Sequence, residues 1–163
     1  MLKNALKLAE QFKIGFQAAQ RVRQDFLGLG ARDTREDFMG MRIVHWEDMC
    51  LINSGIPELP MAMVVPDQPY IYVNAALLAL PRSMRDGLLA HEVGHLHLEH
   101  KPPLTYTLQA YFGFGRGLEL EMEADEYALE LGYNPLPYLE HIYHSGMVKS
   151  RALKKRIYNL QTL

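Results

Sequence analysis

The chain has 163 residues, of which 48% are hydrophobic and 22% are charged, and its formal net charge is −2. This composition is that of a globular protein rather than a disordered chain, and the near-neutral charge argues against nucleic acid as a partner. The length predicts a single domain, residues 1–163, with a sizeable core.

Three features of the sequence indicate its compartment. The single cysteine, Cys50, excludes an intramolecular disulfide and fits a reducing environment. No apolar run approaches the roughly 18 residues of a membrane span. Lys7, Glu10 and Lys13 interrupt the N-terminal segment, where a signal peptide would be continuously apolar. We therefore expect a cytoplasmic protein with no membrane span.

Residues 1–27 are predicted to form a basic amphipathic helix. Apolar residues such as Leu8, Phe12 and Phe16 recur at helical spacing, and lysines and arginines outnumber acids. The preferred interpretation is a helix that packs on its own domain. The alternative is a helix that makes peripheral contact with a membrane or binds a protein partner. A polar connection, Arg32 to Asp37, is expected to follow.

The next part of the chain predicts a small β-structure. Periodicity does not separate a strand from a helix over residues 41–56. Two β-prone runs, Met61–Val65 and Tyr70–Val73, flank a proline-rich turn and predict a hairpin. Either run could hold an extended substrate by strand addition. Asn74 suits a strand end or the N-cap of a short helix.

The main chemical signal is the motif His91-Glu92-Val93-Gly94-His95 in an apolar run. On a helix, His91 and His95 lie one turn apart on the same face, so both imidazoles can reach one metal ion. Glu92 lies beside that stripe, where it could take a proton from a water activated by the metal. The motif predicts a zinc peptidase.

The helix that carries the motif is predicted to be central and buried. Ser83 is the expected N-cap, and Pro102-Pro103 should end the helix near His100. Gly94 costs about 1 kcal/mol in a helix relative to alanine, so we expect another backbone to approach it closely.

A catalytic zinc site needs a third protein ligand. His97 and His100 lie about 240° and 180° from His91 around a continuous helix, so both should point away from the metal. They are interpreted as surface histidines or as partners of the ligands. Leu98 and Lys101 stand where the long metzincin motif needs glycine and histidine, so that family is excluded.

The preferred third ligand is Glu121, in a helix predicted from Leu118 to Leu131. Four of the six acids in this helix share a solvated face, but Glu121 and Asp125 fall on the apolar side. A carboxylate there is costly unless it is paired or bound to metal. Asp125 is predicted to accept a hydrogen bond from a ligating histidine. Ala124 and Ala128 would let this helix pack closely against the motif helix.

Residues downstream of Gly132 include candidates for a donor to the oxyanion of a tetrahedral intermediate. Periodicity does not choose among them, and packing or surface roles are the simpler interpretation for each. The four candidates are Tyr133, Tyr138, His141 and His144.

Two further elements could regulate such a site. Cys50 could bind the zinc in a latent form, although a buried structural cysteine is the preferred interpretation. The basic C-terminal tail, residues 147–163, could form a helix and meet the acids of the cleft, although a solvated tail is preferred.

The motif His91-Glu92-x-x-His95, followed by Glu121-x-x-Ala124-Asp125, resembles the gluzincin clan of metallopeptidases. It is most similar to the family of the CAAX prenyl proteases and the HtpX-type membrane proteases, and Tyr70–Asn74 and Gly132–Pro135 also look like that family. The chain differs from the family in lacking predicted membrane helices, and its size is closer to that of the soluble minigluzincins.

Together the sequence and the resemblance predict an α+β, zincin-like fold, mostly helical with a small β-sheet or hairpin ahead of the motif helix. The resemblance implies one Zn²⁺ per chain, held by His91, His95 and Glu121, a peptide or protein substrate, and Glu92 as catalytic base. One alternative is the phage-repressor-cleaving type, which typically has Asn at the position of Asp125. The other is a zinc-binding interaction module with little or no catalytic activity.

Overall fold

The computed structural model describes residues 31–46, 58–64, 68–100 and 115–163. Within these residues the chain has the predicted α+β fold, and it contains five helices and one small mixed sheet. None of these helices is long and apolar enough to cross a membrane. The chain divides into two compact units, one that ends at Ala79 and one that begins at Leu80. The predicted N-terminal helix and Cys50 lie outside the described residues.

The first unit contains a four-stranded sheet in the order β1-β2-β4-β3. β1 pairs antiparallel with β2, β2 pairs parallel with β4, and β3 pairs antiparallel with β4. The predicted hairpin of the last two strands is confirmed, and the strand alternative is right for residues 41–45. The strands are β1 (Arg32–Phe38), β2 (Met41–His45), β3 (Ala62–Val64) and β4 (Tyr70–Val73).

The strand β1 corrects the prediction of a polar connection from Arg32 to Asp37. It lies at one edge of the sheet and most of its side chains are exposed, so it shows no apolar alternation. The Thr34 hydroxyl donates a hydrogen bond to the Ile43 carbonyl at 2.7 Å, and Arg42 forms an ion pair with Asp37 at 3.0 Å. The strand depends on pairing with β2, which local periodicity does not detect.

Asn74 connects the strands of the first unit to a short helix, α1 (Ala75–Leu78). Its side chain is buried, and Oδ1 accepts hydrogen bonds from the Leu77 and Met61 backbone N–H groups, both at 3.0 Å. Its Nδ2 donates to the Leu59 carbonyl at 2.7 Å. The predicted N-cap is therefore confirmed, and every polar atom of this buried amide has a partner.

The second unit is helical. The helix that carries the motif packs against the two helices that follow it, and the C-terminal helix packs on those same two. Gly132 and Gly146 follow two of these helices with φ of 84° and 78°, the left-handed conformation that favours glycine at a helix end. The helices are α2 (Arg82–His97), α3 (Gly115–Glu130), α4 (Leu136–His144) and α5 (Arg151–Thr162).

Two predicted helix starts are wrong. Pro81 rather than Ser83 is the N-cap of α2, because the Pro81 carbonyl accepts hydrogen bonds from the Met84 and Arg85 N–H groups. The helix α3 begins at Gly115 rather than Leu118. Gly117 is buried in the first turn of α3.

Candidate metal centre

The helices α2 and α3 approach each other closely at Gly94. A Cβ atom on Gly94 would lie 3.1 Å from the Ala124 carbonyl oxygen and 3.2 Å from the Ala124 Cα atom, so a larger residue would push the helices apart. The predicted close approach is confirmed. It brings the face of α3 that carries Glu121, three residues before Ala124, against the His91 and His95 face of α2.

Three side chains converge where these faces meet, and we call them the His-Glu cluster: His91, His95 and Glu121. His91 Nε2 lies 3.1 Å from His95 Nε2 and 3.5 Å from Glu121 Oε2. His95 Nε2 lies 3.5 Å from Glu121 Oε1. Ligands about 2.0 to 2.1 Å from a tetrahedral zinc ion are about 3.3 Å apart. The spacing and the types of the donor atoms therefore fit a metal ion.

Asp125 contacts the ring nitrogen of His91 that faces away from the cluster. Its Oδ1 lies 2.8 Å from His91 Nδ1, and both side chains are almost fully buried. Because a carboxylate only accepts, His91 Nδ1 carries the hydrogen and Nε2 faces the cluster. Burial opposes a charge on His91, but the Asp125 carboxylate outweighs it and raises the pKa of His91 to about 9.

The structure corrects the predicted direction of His100. The helix ends at His97, Glu99 takes a left-handed φ of 50°, and the His100 N–H donates to the His95 carbonyl at 3.0 Å. This turn places His100 Nδ1 2.8 Å from His95 Nδ1. The angle of 180° from His91 holds only for a continuous helix, and the helix stops three residues earlier than predicted.

Beyond His100, a chain of polar contacts runs along α3 to the surface. His100 Nε2 lies 3.1 Å from Glu123 Oε2, and that same oxygen accepts a hydrogen bond from Arg116 Nη2 at 3.2 Å. By contrast, His97 is exposed and its ring stacks on that of Tyr127 at 4.7 Å. His97 thus fits the predicted surface role, whereas His100 is a buried partner of His95.

Arg156 is the residue that sequence analysis missed. It lies in α5, and its guanidinium donates to Asp125 Oδ2 and Oδ1, both at 2.7 Å, and to Glu121 Oε2 at 2.6 Å. Only 14% of its side chain is exposed. The preferred interpretation of a solvated tail is therefore wrong, because the tail forms a helix that meets the acids of the cluster.

The charge of Arg156 keeps the neighbouring acids ionised. Burial alone would raise the pKa of both Glu121 and Asp125, but Arg156 and His91 hold the two pKa values below their usual range. Burial and the charge on His91 lower the pKa of His95 to about 3, so His95 is neutral at neutral pH. The cluster therefore offers an ionised carboxylate and at least one neutral imidazole as donors.

Among the four oxyanion candidates, the structure associates Tyr138 with the cluster. Tyr138 is buried, and burial raises the pKa of its phenol well above the usual value. The charges of Arg156, Glu92 and Glu121 also affect the pKa of Tyr138, so Tyr138 lies within the range of their electrostatic interactions. His144 is exposed and its ring contacts Tyr143, while Tyr133 and His141 are half-buried.

A signal for Arg156 was present in the sequence. Ala152, Arg156 and Leu160 recur at intervals of four, so in a helix they share one face, and both Ala152 and Leu160 are buried. An arginine on the buried face of a helix requires acidic partners, and the two inward acids of α3 provide them. For His100, the pair Pro102-Pro103 indicates a helix end near His100 but does not place that end before it.

The chain was also compared with protein-family models, with curated proteins and with solved structures, and no match was found in any of these comparisons.

Proposed function

We propose that this protein is a zinc-dependent endopeptidase of zincin-like fold, similar to soluble minimal gluzincins. The observation that carries the proposal is the convergence of His91, His95 and Glu121, whose donor atoms all lie within 4.8 Å of one another. Two histidines and a glutamate on two helices form the ligand set of thermolysin-type zinc enzymes.

Zinc bound by this cluster would supply Lewis-acid polarisation of the scissile carbonyl and lower the pKa of a water molecule to about 7. The chain's own residues would provide the rest of the chemistry. Glu92 follows His91 directly in α2 and is half-buried, and it would be the base that accepts the proton of the attacking water. It would then deliver that proton to the leaving amine.

Tyr138 would act as a hydrogen-bond donor. A tyrosine phenol is protonated at neutral pH, as a donor to a developing oxyanion must be, and burial raises the pKa of Tyr138 further. Asp125 would hold His91 in the tautomer whose Nε2 faces the cluster. Arg156 would orient the Glu121 carboxylate through its hydrogen bond to Oε2.

The test is hydrolysis of casein or of an unstructured peptide by the untagged, zinc-loaded protein and by Glu92→Gln. We expect hydrolysis by the wild type, a chelator-sensitive rate, and a loss of at least about 100-fold in Glu92→Gln. Glu92→Gln should still bind one zinc per chain. Glu130→Gln, an exposed acid at the end of α3, is the matched control and should keep full activity. A wild type that binds zinc and hydrolyses nothing would refute the peptidase.

A second candidate is a zinc-binding interaction module without hydrolytic activity. The observation that favours it is the Arg156 guanidinium, a cation 2.6 Å from an oxygen of the third ligand. This cation withdraws charge from the carboxylate that would bind the metal. The same experiment distinguishes the two candidates, because a module would bind zinc in both proteins and show no hydrolysis in either.

A further inference from the structure

We propose that His100, Glu123 and Arg116 form a hydrogen-bond relay that fixes the tautomer and the orientation of His95 as a metal ligand. The proposal rests on the metal site of the proposed function and adds positioning residues that do not themselves bind metal. The relay runs from Arg116 through Glu123 and His100 to His95 Nδ1, over contacts of 3.2, 3.1 and 2.8 Å.

The donor and acceptor roles of the four side chains determine which atom donates at each hydrogen bond of the relay. Arg116 only donates, and both carboxylate oxygens of Glu123 accept from it. His100 Nε2 must therefore carry the hydrogen that Glu123 accepts. In a neutral imidazole the other nitrogen, His100 Nδ1, is then an acceptor, so His95 Nδ1 must donate to it.

The consequence for His95 is that its Nε2 keeps a lone pair. This nitrogen faces the cluster, 3.1 Å from His91 Nε2 and 3.5 Å from Glu121 Oε1. His91 is oriented in the same sense, because its Nδ1 lies 2.8 Å from Asp125 Oδ1. Both histidines thus direct Nε2 toward the cluster, His91 backed by a carboxylate directly and His95 through a second histidine.

The backbone that follows α2 positions His100 in this relay. Glu99 takes the left-handed conformation in the turn that follows α2, and the His100 N–H donates to the His95 carbonyl. His100 is shielded, with 4% of its side chain exposed, whereas the side chains of Glu123 and Arg116 are 41% and 54% exposed. The relay therefore passes from solvent to the cluster.

The first test measures zinc affinity by competition with a chelator. His100→Phe keeps a planar ring but removes both nitrogens, and should weaken zinc binding about 10- to 100-fold. Glu123→Leu, at a half-exposed position, should weaken it less, because the ring of His100 remains. His97→Phe is the matched control and should bind zinc like the wild type. Thermal unfolding of each zinc-free variant shows that the protein is folded.

The second test needs no variant. Long-range ¹H–¹⁵N correlation spectra of the full chain, treated with chelator, report the tautomer of each histidine. We expect hydrogen on Nδ1 of His95 and on Nε2 of His100. Hydrogen on Nε2 alone of His95, or wild-type zinc affinity in a folded His100→Phe protein, would overturn the relay.

The outcomes separate the relay from the peptidase proposal. If the tautomers are as expected and zinc binds but nothing is hydrolysed, the relay stands and the peptidase fails. If hydrolysis occurs and His95 carries hydrogen on Nε2 alone in the zinc-free chain, the relay fails and the peptidase stands.

Discussion

Replacing Arg156 by methionine should destabilise the zinc-free protein by about 3 to 5 kcal/mol. Arg156 Nε and Nη2 each donate to Asp125, and Nη1 donates to Glu121, in three contacts of 2.6 to 2.7 Å. The side chains of Asp125 and Glu121 are only 1% and 15% exposed. Methionine fills part of the volume but leaves two buried carboxylates without their cation.

The magnitude follows from the partners that remain. Three hydrogen bonds between charged groups, at about 1.5 to 3 kcal/mol each, set an upper range. His91 still pairs with Asp125, and Glu121 still lies near His91 and His95, which offsets part of the loss. The remainder is close to the about 3 to 5 kcal/mol lost when one partner of a buried ion pair is removed.

The assay is urea unfolding of the zinc-free protein, followed by circular dichroism. Arg151→Met is the matched control, because Arg151 is an exposed residue at the start of the same helix, and its substitution should change stability by less than about 0.5 kcal/mol. If Arg156→Met is as stable as Arg151→Met, Arg156 does not compensate the buried acids, and the description of the site is wrong.

Three further predictions test packing, protonation and catalysis. Gly87→Ala should lower the melting temperature more than Gly94→Ala. A Cβ atom at position 87 would lie 2.4 Å from the Asn134 carbonyl oxygen, whereas one at position 94 would lie 3.1 Å from the Ala124 carbonyl oxygen. Alanine has a higher helix propensity than glycine by about 1 kcal/mol. If this gain raised the melting temperatures of the two variants, the close packing would be contradicted. The free energy of unfolding of the zinc-free protein should fall between pH 6.5 and about 9. His91 has its ordinary pKa of 6.5 when unfolded and about 9 when folded, so its contribution is complete below pH 6.5 and is lost as the pH rises through 9. Urea unfolding at several pH values across this range measures the free energy of unfolding. A free energy that does not change with pH would contradict the prediction. Tyr138→Phe should lower kcat about 100- to 1,000-fold without changing zinc affinity, and an unchanged kcat would remove Tyr138 from the mechanism.

The helical half of the site could be predicted because its signals are local. The spacing of His91 and His95 places both on one face of a helix, and the angle between Glu121 and the solvated acids of α3 selects the inward carboxylate. Gly94 similarly indicates a close neighbour, which the structure identifies as Ala124. Each of these inferences depends only on residues within one helix and on the cost of burying or omitting a side chain.

The contacts that sequence analysis missed depend on where elements end and pair. His100 reaches His95 because α2 stops at His97 and a turn with Glu99 in the left-handed conformation follows. Helix ends are set by caps and turns rather than by periodicity. Arg156 reaches Asp125 across 31 positions in the chain. The strand β1 forms because β2 pairs with it, although its own side chains are polar.

The most direct test of the metal centre is the zinc content and affinity of the protein purified without a histidine tag. We predict one zinc ion per chain in the wild type. We also predict that affinity falls strongly in His91→Gln, His95→Gln and Glu121→Gln, and that it does not change in His144→Gln. Absence of zinc from the wild type, or zinc bound equally by all three cluster variants, would contradict the assignment of His91, His95 and Glu121 as a metal centre.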